Sequence, residues 1–379
     1  MEYSLTIQQK KVLLHTQSTR ECEISGQSEP TAFMIGRASP CRGSLRITFF
    51  ALICLLLICN NYRAALASLP AGSGAFLWND KTGASDPHKP LKVYYYRPAI
   101  VTATTPVWFI MHGTERNADE YRDCFIQFAV EQGALVMAPQ FDAENWPGTT
   151  GYNLGNISRS AADLAPQAER DWSFSKIEPL FDYLTKELEP TIAVESYSMF
   201  GHSAGAHFVH RFLMWKPQAR VNLAIAANAG WYTLPHFRHA QYEHDWPYSL
   251  SNAPSHRKPI RSEKDFPSAN VDAAFLRRMV VLLGDQDLHR DEYLSIAPAA
   301  DAQGSNRLQR GQFFFSKAES EAAARGVEFK WALQIVPGAG HSASQMAIPA
   351  AELLRCAAVS DDEFRKKCGE AIFIVDEKQ

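Results

Sequence analysis

The stretch "GHSAG", Gly201 to Gly205, sets one serine between two glycines, directly after the apolar run "SYSMF" and directly before the helix formers "AHFVHRFLM". At a sharp turn from strand to helix, glycines remove side chains that would collide. The residue between them can then be held in a strained conformation with its hydroxyl exposed above the sheet. A serine hydroxyl is a poor nucleophile at neutral pH. It needs a base that accepts its proton, for which histidine, with an unperturbed pKa of about 6.5, is suited. The base in turn needs a carboxylate to fix its tautomer and stabilise the imidazolium. Three more short stretches hold such groups, each directly after an apolar run: "HGTERN" from His112, "GDQD" from Gly284 and "GAGHS" from Gly338.

The runs before these stretches are the elements that must position them. Strands are predicted for "LKVYYYRP" from Leu91, "VWFIMHG" from Val107, "ALVMAPQF" from Ala134, "SYSMFG" from Ser196, "NLAIAANAG" from Asn222, "MVVLLGD" from Met279 and "KWALQIVPG" from Lys330. Several are continuous apolar runs, as parallel strands covered on both faces require. Helical patterns fall between them at Ile177 to Leu188, Ala204 to Trp215, Leu308 to Arg325 and Ser344 to Cys356. The stretch "SLPAGSGAF" from Ser68 reads as a Gly/Pro/Ser-rich lead-in. This alternation predicts one α/β domain with a mostly parallel central sheet and helices on both faces. In such a sheet chemistry collects beyond the carboxyl ends of the strands, where the four polar stretches lie.

Taken in chain order, these stretches resemble the α/β-hydrolase superfamily, over roughly Leu91 to Cys356. The resemblance implies an oxyanion loop at His112 and Gly113, a nucleophile at Ser203, an acid at Asp287 and a base at His341. Asp287 is preferred because it lies in the loop three residues after Gly284, whereas Asp285 is still at the strand end; Asp285 and Asp291 stay open as alternatives. Ser203 opens a helix, whose amides and dipole favour a developing oxyanion. The expected donors are the amides of Ala204 and Thr114. His202 reads as positional, and His207 and His210, one turn along the same helix, as hydrogen-bonded side chains rather than metal ligands.

Residues 1–67 differ from the rest. Ile47 to Cys59, "ITFFALICLLLIC", is uncharged, preceded by arginines and followed by "ALA" ending at Ala67. That order reads as a secretory signal, and the run is shorter than the roughly 20 residues of a membrane-spanning helix. Cleavage after Ala67 would leave a domain of residues 68–379 in a secreted or periplasmic protein with no stable membrane insertion. It would also remove 7 of 38 basic and 4 of 41 acidic side chains, leaving a mildly acidic chain with no electrostatic footprint for nucleic acid. Of the three cysteines beyond the signal, Cys356 and Cys368 are expected to form a disulfide in an oxidising compartment. Cys124 reads as a small buried hydrophobe.

Two excursions interrupt the alternation, at 142–175 and 231–267. In this superfamily lids are inserted after the elbow, so the resemblance implies a lid-like insert at about 231–267, with Trp231 and Tyr232 contacting substrate. "HFRHAQYEHD" within it, with His236, His239 and His244, reads as polar lid rather than zinc site. The compact "HG" loop, the signal and "NAGWYTLP" look like exported esterases of the polyhydroxybutyrate-depolymerase and feruloyl-esterase-like group. That implies hydrolysis of small or polymeric carboxylic esters through an acyl-enzyme, with water as second substrate and no cofactor. With no charged subsite visible, neutral esters are expected. A serine peptidase of the same fold, a catalytically inactive binding protein and a cofactor-less lyase or acyltransferase are the competing readings. The sequence leaves the oligomeric state open.

Overall fold

The computed structural model describes residues 68–80, 89–160, 163–236, 244–254, 268–359 and 361–364. Residues 1–67, which carry the signal-like run, lie outside them. Among the described residues no helix is long and apolar enough to cross a membrane.

Eight strands form one sheet: β1 (Gly72–Trp78), β2 (Leu91–Arg97), β3 (Val107–Met111), β4 (Leu135–Gln140), β5 (Tyr197–His202), β6 (Val221–Ala227), β7 (Met279–Gly284) and β8 (Trp331–Val336). Their spatial order is β1-β2-β4-β3-β5-β6-β7-β8. The β1–β2 and β2–β4 pairs are antiparallel and all the others parallel, so β3 and β5 to β8 deliver their carboxyl ends to one side. The Gly/Pro/Ser-rich lead-in "SLPAGSGAF", for which no strand is predicted, runs into β1 from Gly72 onward. Its burial alternates along Gly72–Trp78, as an edge strand requires, and a Cβ at Gly74 would overlap the Tyr95 ring across the pair. Glycine there answers to packing rather than to a turn.

The main helices are α1 (Ala118–Asp123), α2 (Ile126–Gln132), α3 (Ile177–Tyr183), α4 (Ala204–Trp215), α5 (Ser268–Phe275), α6 (Arg307–Arg325) and α7 (Ala343–Arg355). Strand residues alternate between the two sheet faces. Phe109, Met137 and Met199 join α3, α4, α5 and α6 in one core, while Trp108, Val136 and Phe200 join α1, α2 and α7 in the other. α6 starts at an Asn306 cap accepting the Gln309 amide and ends at Gly326 with φ 65°. All of α4 is buried, because it packs into the sheet centre and is covered on its outer side.

Candidate active site

Ser203 leaves β5 and begins α4 with φ 56° and ψ −116°, a backbone conformation that side-chain-bearing residues rarely adopt. Its amide donates to the Ala227 carbonyl at 2.9 Å, tying the turn to the end of β6. The flanking glycines are required by contact: a Cβ at Gly201 would meet the Gly205 carbonyl, and one at Gly205 would meet the backbone carbonyl of Met111 at the end of β3. The sequence therefore folds into a turn tight enough to lift the serine.

His341 follows β8 on the same side of the sheet. Its Nδ1 lies 2.7 Å from Asp287 Oδ2 and its Nε2 3.1 Å from Ser203 Oγ. A carboxylate only accepts, so Nδ1 carries the proton and Nε2 is free to accept from the serine hydroxyl. Asp287 is 1% exposed, and its other oxygen lies 3.3 Å from the guanidinium of Arg307, which is equally buried. Arg307 also makes two 2.8 Å bonds to Asp291, holding that carboxyl below its ordinary range. Asp285, the first alternative acid, instead accepts the Gly338 amide at 2.8 Å and pins the turn before His341. Asn228, with φ 50°, accepts the Gly284 amide and donates to the Gly340 carbonyl, joining the ends of β6 and β7 to the His341 loop. Neither Arg307 nor Asn228 had a sequence signal, since each acts through a loop far away in the chain.

The loop after β3 is rigidly held. His112 Nε2 accepts the Phe141 amide at 3.0 Å, and burial drives its pKa down to about 3, so it stays neutral. Arg116, at φ 64°, donates to the carbonyls of Phe141, Trp146 and Gly148 and lies over the Tyr152 ring. Thr114 borders the cleft beside Ser203, and Ala204 is the first residue of α4. His202 is buried next to the serine, its Nδ1 3.0 Å from the Tyr121 hydroxyl and its ring 4.6 Å from that of His341. Burial and the neighbouring His341 hold its pKa well below 6.5.

The cleft over Ser203 has a volume of about 590 Å³. Its wall includes Glu115, Glu120, Asp291 and Glu292, so the expectation of no charged subsite is not met. The two aromatics assigned to substrate are placed differently as well. Tyr232 is fully buried and stacked on Phe314, and Trp231, 9% exposed, lies edge-on to His207 and under Arg211. Neither lines this cleft. The reason lies in α4: His207 and His210 accept the amides of Gly230 and Thr233, and Arg211 donates to Thr233 Oγ1, drawing Gly230–Thr233 against the helix. The described remainder of 231–267 is largely buried too, with Trp246 against Trp215. The stretches 237–243 and 255–267, including His239, lie outside the described residues. Cys124 is free, and burial pushes its thiol up. Cys356 is disulfide-bonded, while Cys368, its expected partner, lies outside the described residues.

Two solved structures are similar over about three quarters of the chain. Poly(aspartic acid) hydrolase-1 from Sphingomonas sp. KT-1 is 37% identical, with a TM-score of 0.66 over 76% of this chain and 99% of that one. A poly(3-hydroxybutyrate) depolymerase from Bordetella parapertussis is 32% identical, with a TM-score of 0.66 over 77% and 92%. No family model matches the chain, and no curated protein matches it.

Proposed function

Because the chain belongs to the α/β-hydrolase family that includes these two enzymes, and is itself a hydrolase, we propose that it cleaves carboxylic esters through Ser203, His341 and Asp287. The observation that supports this most strongly is the continuous path from Ser203 Oγ to His341 Nε2 at 3.1 Å and from His341 Nδ1 to Asp287 Oδ2 at 2.7 Å. In the proposed reaction His341 takes the serine proton as Oγ attacks the ester carbonyl. The tetrahedral oxyanion is held by the amides of Ala204 and Thr114. His341 then gives its proton to the departing alkoxide, leaving an acyl-enzyme, and water attacks that ester by the same route in reverse. Losing one oxyanion donor typically raises the barrier by about 3 to 4 kcal/mol.

From the relatives we carry over hydrolysis, and from neither of them the polymer. Poly(aspartic acid) bears a carboxylate on every residue, whereas Glu115, Glu120 and Glu292 border the cleft here without a cationic partner among the described residues. Residues 1–67 act in this reading as a leader removed on export, leaving a hydrolase domain of residues 68–379. A fluorophosphonate probe tests the central assignment. It should label the wild-type chain at Ser203 and leave Ser203→Ala unlabelled, with ester turnover lost in parallel. Labelling at another serine rejects the assignment, and turnover of peptide amides well above that of esters makes the enzyme a peptidase.

A further inference from the structure

The Ser203 cleft carries carboxylates on two sides. Glu115 and Glu120 come from the β3–α1 loop and α1, and Asp291 and Glu292 from the loop after Asp287. Only Asp291 is neutralised, by Arg307. Glu115, Glu120 and Glu292 are exposed, and none is ion-paired among the described residues. The nearby cations are occupied elsewhere: Arg116 binds three backbone carbonyls away from the cleft, and Arg290 is paired with Asp301. Among the described residues, no lysine or arginine lines the cleft.

Two further features of the wall bear on what it would accept. Tyr293 adjoins Glu292 with more than half its surface exposed, offering an aromatic face beside a carboxylate. Such a pairing suits an ammonium group. On the floor, His202 is 3% exposed, and its Nε2 has no partner among the described residues. Kept neutral by burial, it adds a polar contact without a compensating positive charge.

We propose that the cleft selects esters carrying an ammonium group near the scissile bond, takes neutral esters less well and rejects anionic ones, with Glu115, Glu120, Glu292 and Tyr293 as the specificity-determining residues. This rests on Ser203 being the nucleophile. The same field acts on encounter and on binding, because unpaired carboxylates around a concave site focus their potential into it. Three such charges within a Debye length of the reacting ester should separate a cation from an anion by roughly ten- to fifty-fold in kcat/KM at low salt.

The test compares three acetate esters of one size: acetylcholine, its uncharged isostere 3,3-dimethylbutyl acetate, and a sulfonate-bearing acetate of matched length. Each is assayed at about 20 mM and about 0.5 M salt. The expected order is cationic, neutral, anionic, with the spread shrinking several-fold at high salt. Glu115→Gln combined with Glu292→Gln should cut the cation-to-anion ratio by roughly three- to ten-fold. Glu352→Gln, an exposed side chain of α7 outside the cleft, should leave both ratio and turnover unchanged. The salt series on the wild-type chain decides the matter even if the double variant does not fold. Turnover of all three esters with no charge order, or with an order that salt does not compress, overturns this inference alone. No turnover of any of them, together with no phosphonate labelling, overturns the Ser203 reading and this inference with it.

Discussion

Replacing Asp287 by asparagine tests the acid with almost no change in shape. Asp287 is buried, with one oxygen on His341 Nδ1 at 2.7 Å and the other facing Arg307 at 3.3 Å. An asparagine has one oxygen and one NH2 to share between those two donors. If the oxygen keeps His341, the NH2 is forced against the guanidinium. If the oxygen turns to Arg307, the NH2 donates to Nδ1, and His341 must carry its proton on Nε2, where it can no longer accept from Ser203. The guanidinium, buried and fixed by Asp291, favours the second arrangement. The expected loss is therefore that of the wrong tautomer, about a thousand- to ten-thousand-fold in kcat, or roughly 4 to 5.5 kcal/mol of barrier. Asp285→Asn keeps an oxygen for the Gly338 amide and should cost less than about ten-fold. Single-turnover acylation by a chromogenic acetate separates the chemistry from product release. An Asp287→Asn enzyme within ten-fold of wild type, or an Asp285→Asn enzyme that is the weaker of the two, refutes the assignment of the acid.

Three further outcomes are expected. Gly205→Ala should destabilise the fold by about 3 kcal/mol or more in urea unfolding, since the new Cβ meets the Met111 backbone rather than a side chain able to move; a loss under about 1 kcal/mol would show that α4 has room to shift. His112, His202, His207 and His210 are all buried with pKa values held far below 6.5. The folded state thus takes up no proton where the unfolded chain does: their contribution is complete above about pH 6.5 and is lost as pH falls towards the folded values. Between about pH 6 and pH 5 the loss should be about 1.2 kcal/mol for each histidine, about 5 kcal/mol for the four, read from denaturant midpoints, and a flat profile would refute their neutrality. Finally, intact mass of exported protein should lack residues 1–67; retention of Ile47 to Cys59 would point to an anchor instead.

The positions in the chain where chemistry would lie were legible because strand ends leave a local signature: an apolar run, then a glycine, then a polar group. The bounds of α4, Ala204–Trp215, and the polar stretches after β3, β5, β7 and β8 follow from that pattern. What failed had causes beyond the reach of local pattern. β1 was hidden because its glycines resemble a linker, and Gly74 is explained only by the Tyr95 ring on the neighbouring strand. Trp231 and Tyr232 looked like a substrate wall because polar-tipped aromatics suit a pocket and a core alike. Three buried polar side chains of α4 decide the matter by fastening that segment inward. The negative wall of the cleft was divided between two segments about 170 residues apart, so no window of sequence contained it.

The backbone angle at residue 203 also bears on how variants of this enzyme should be sorted. Holding a side-chain-bearing residue at φ 56° costs on the order of 1 to 3 kcal/mol, most of which a glycine there would not incur. Ser203→Gly is thus expected to tolerate heat better than the parent while having lost the hydroxyl. With Ser203 as the proposed nucleophile, a library ranked by melting temperature or soluble yield would promote such chains, and the best survivors at this position would be the inert ones. Sorting by covalent labelling at Ser203 reverses that bias, since it retains only chains in which the tension in the turn still supports a reactive group.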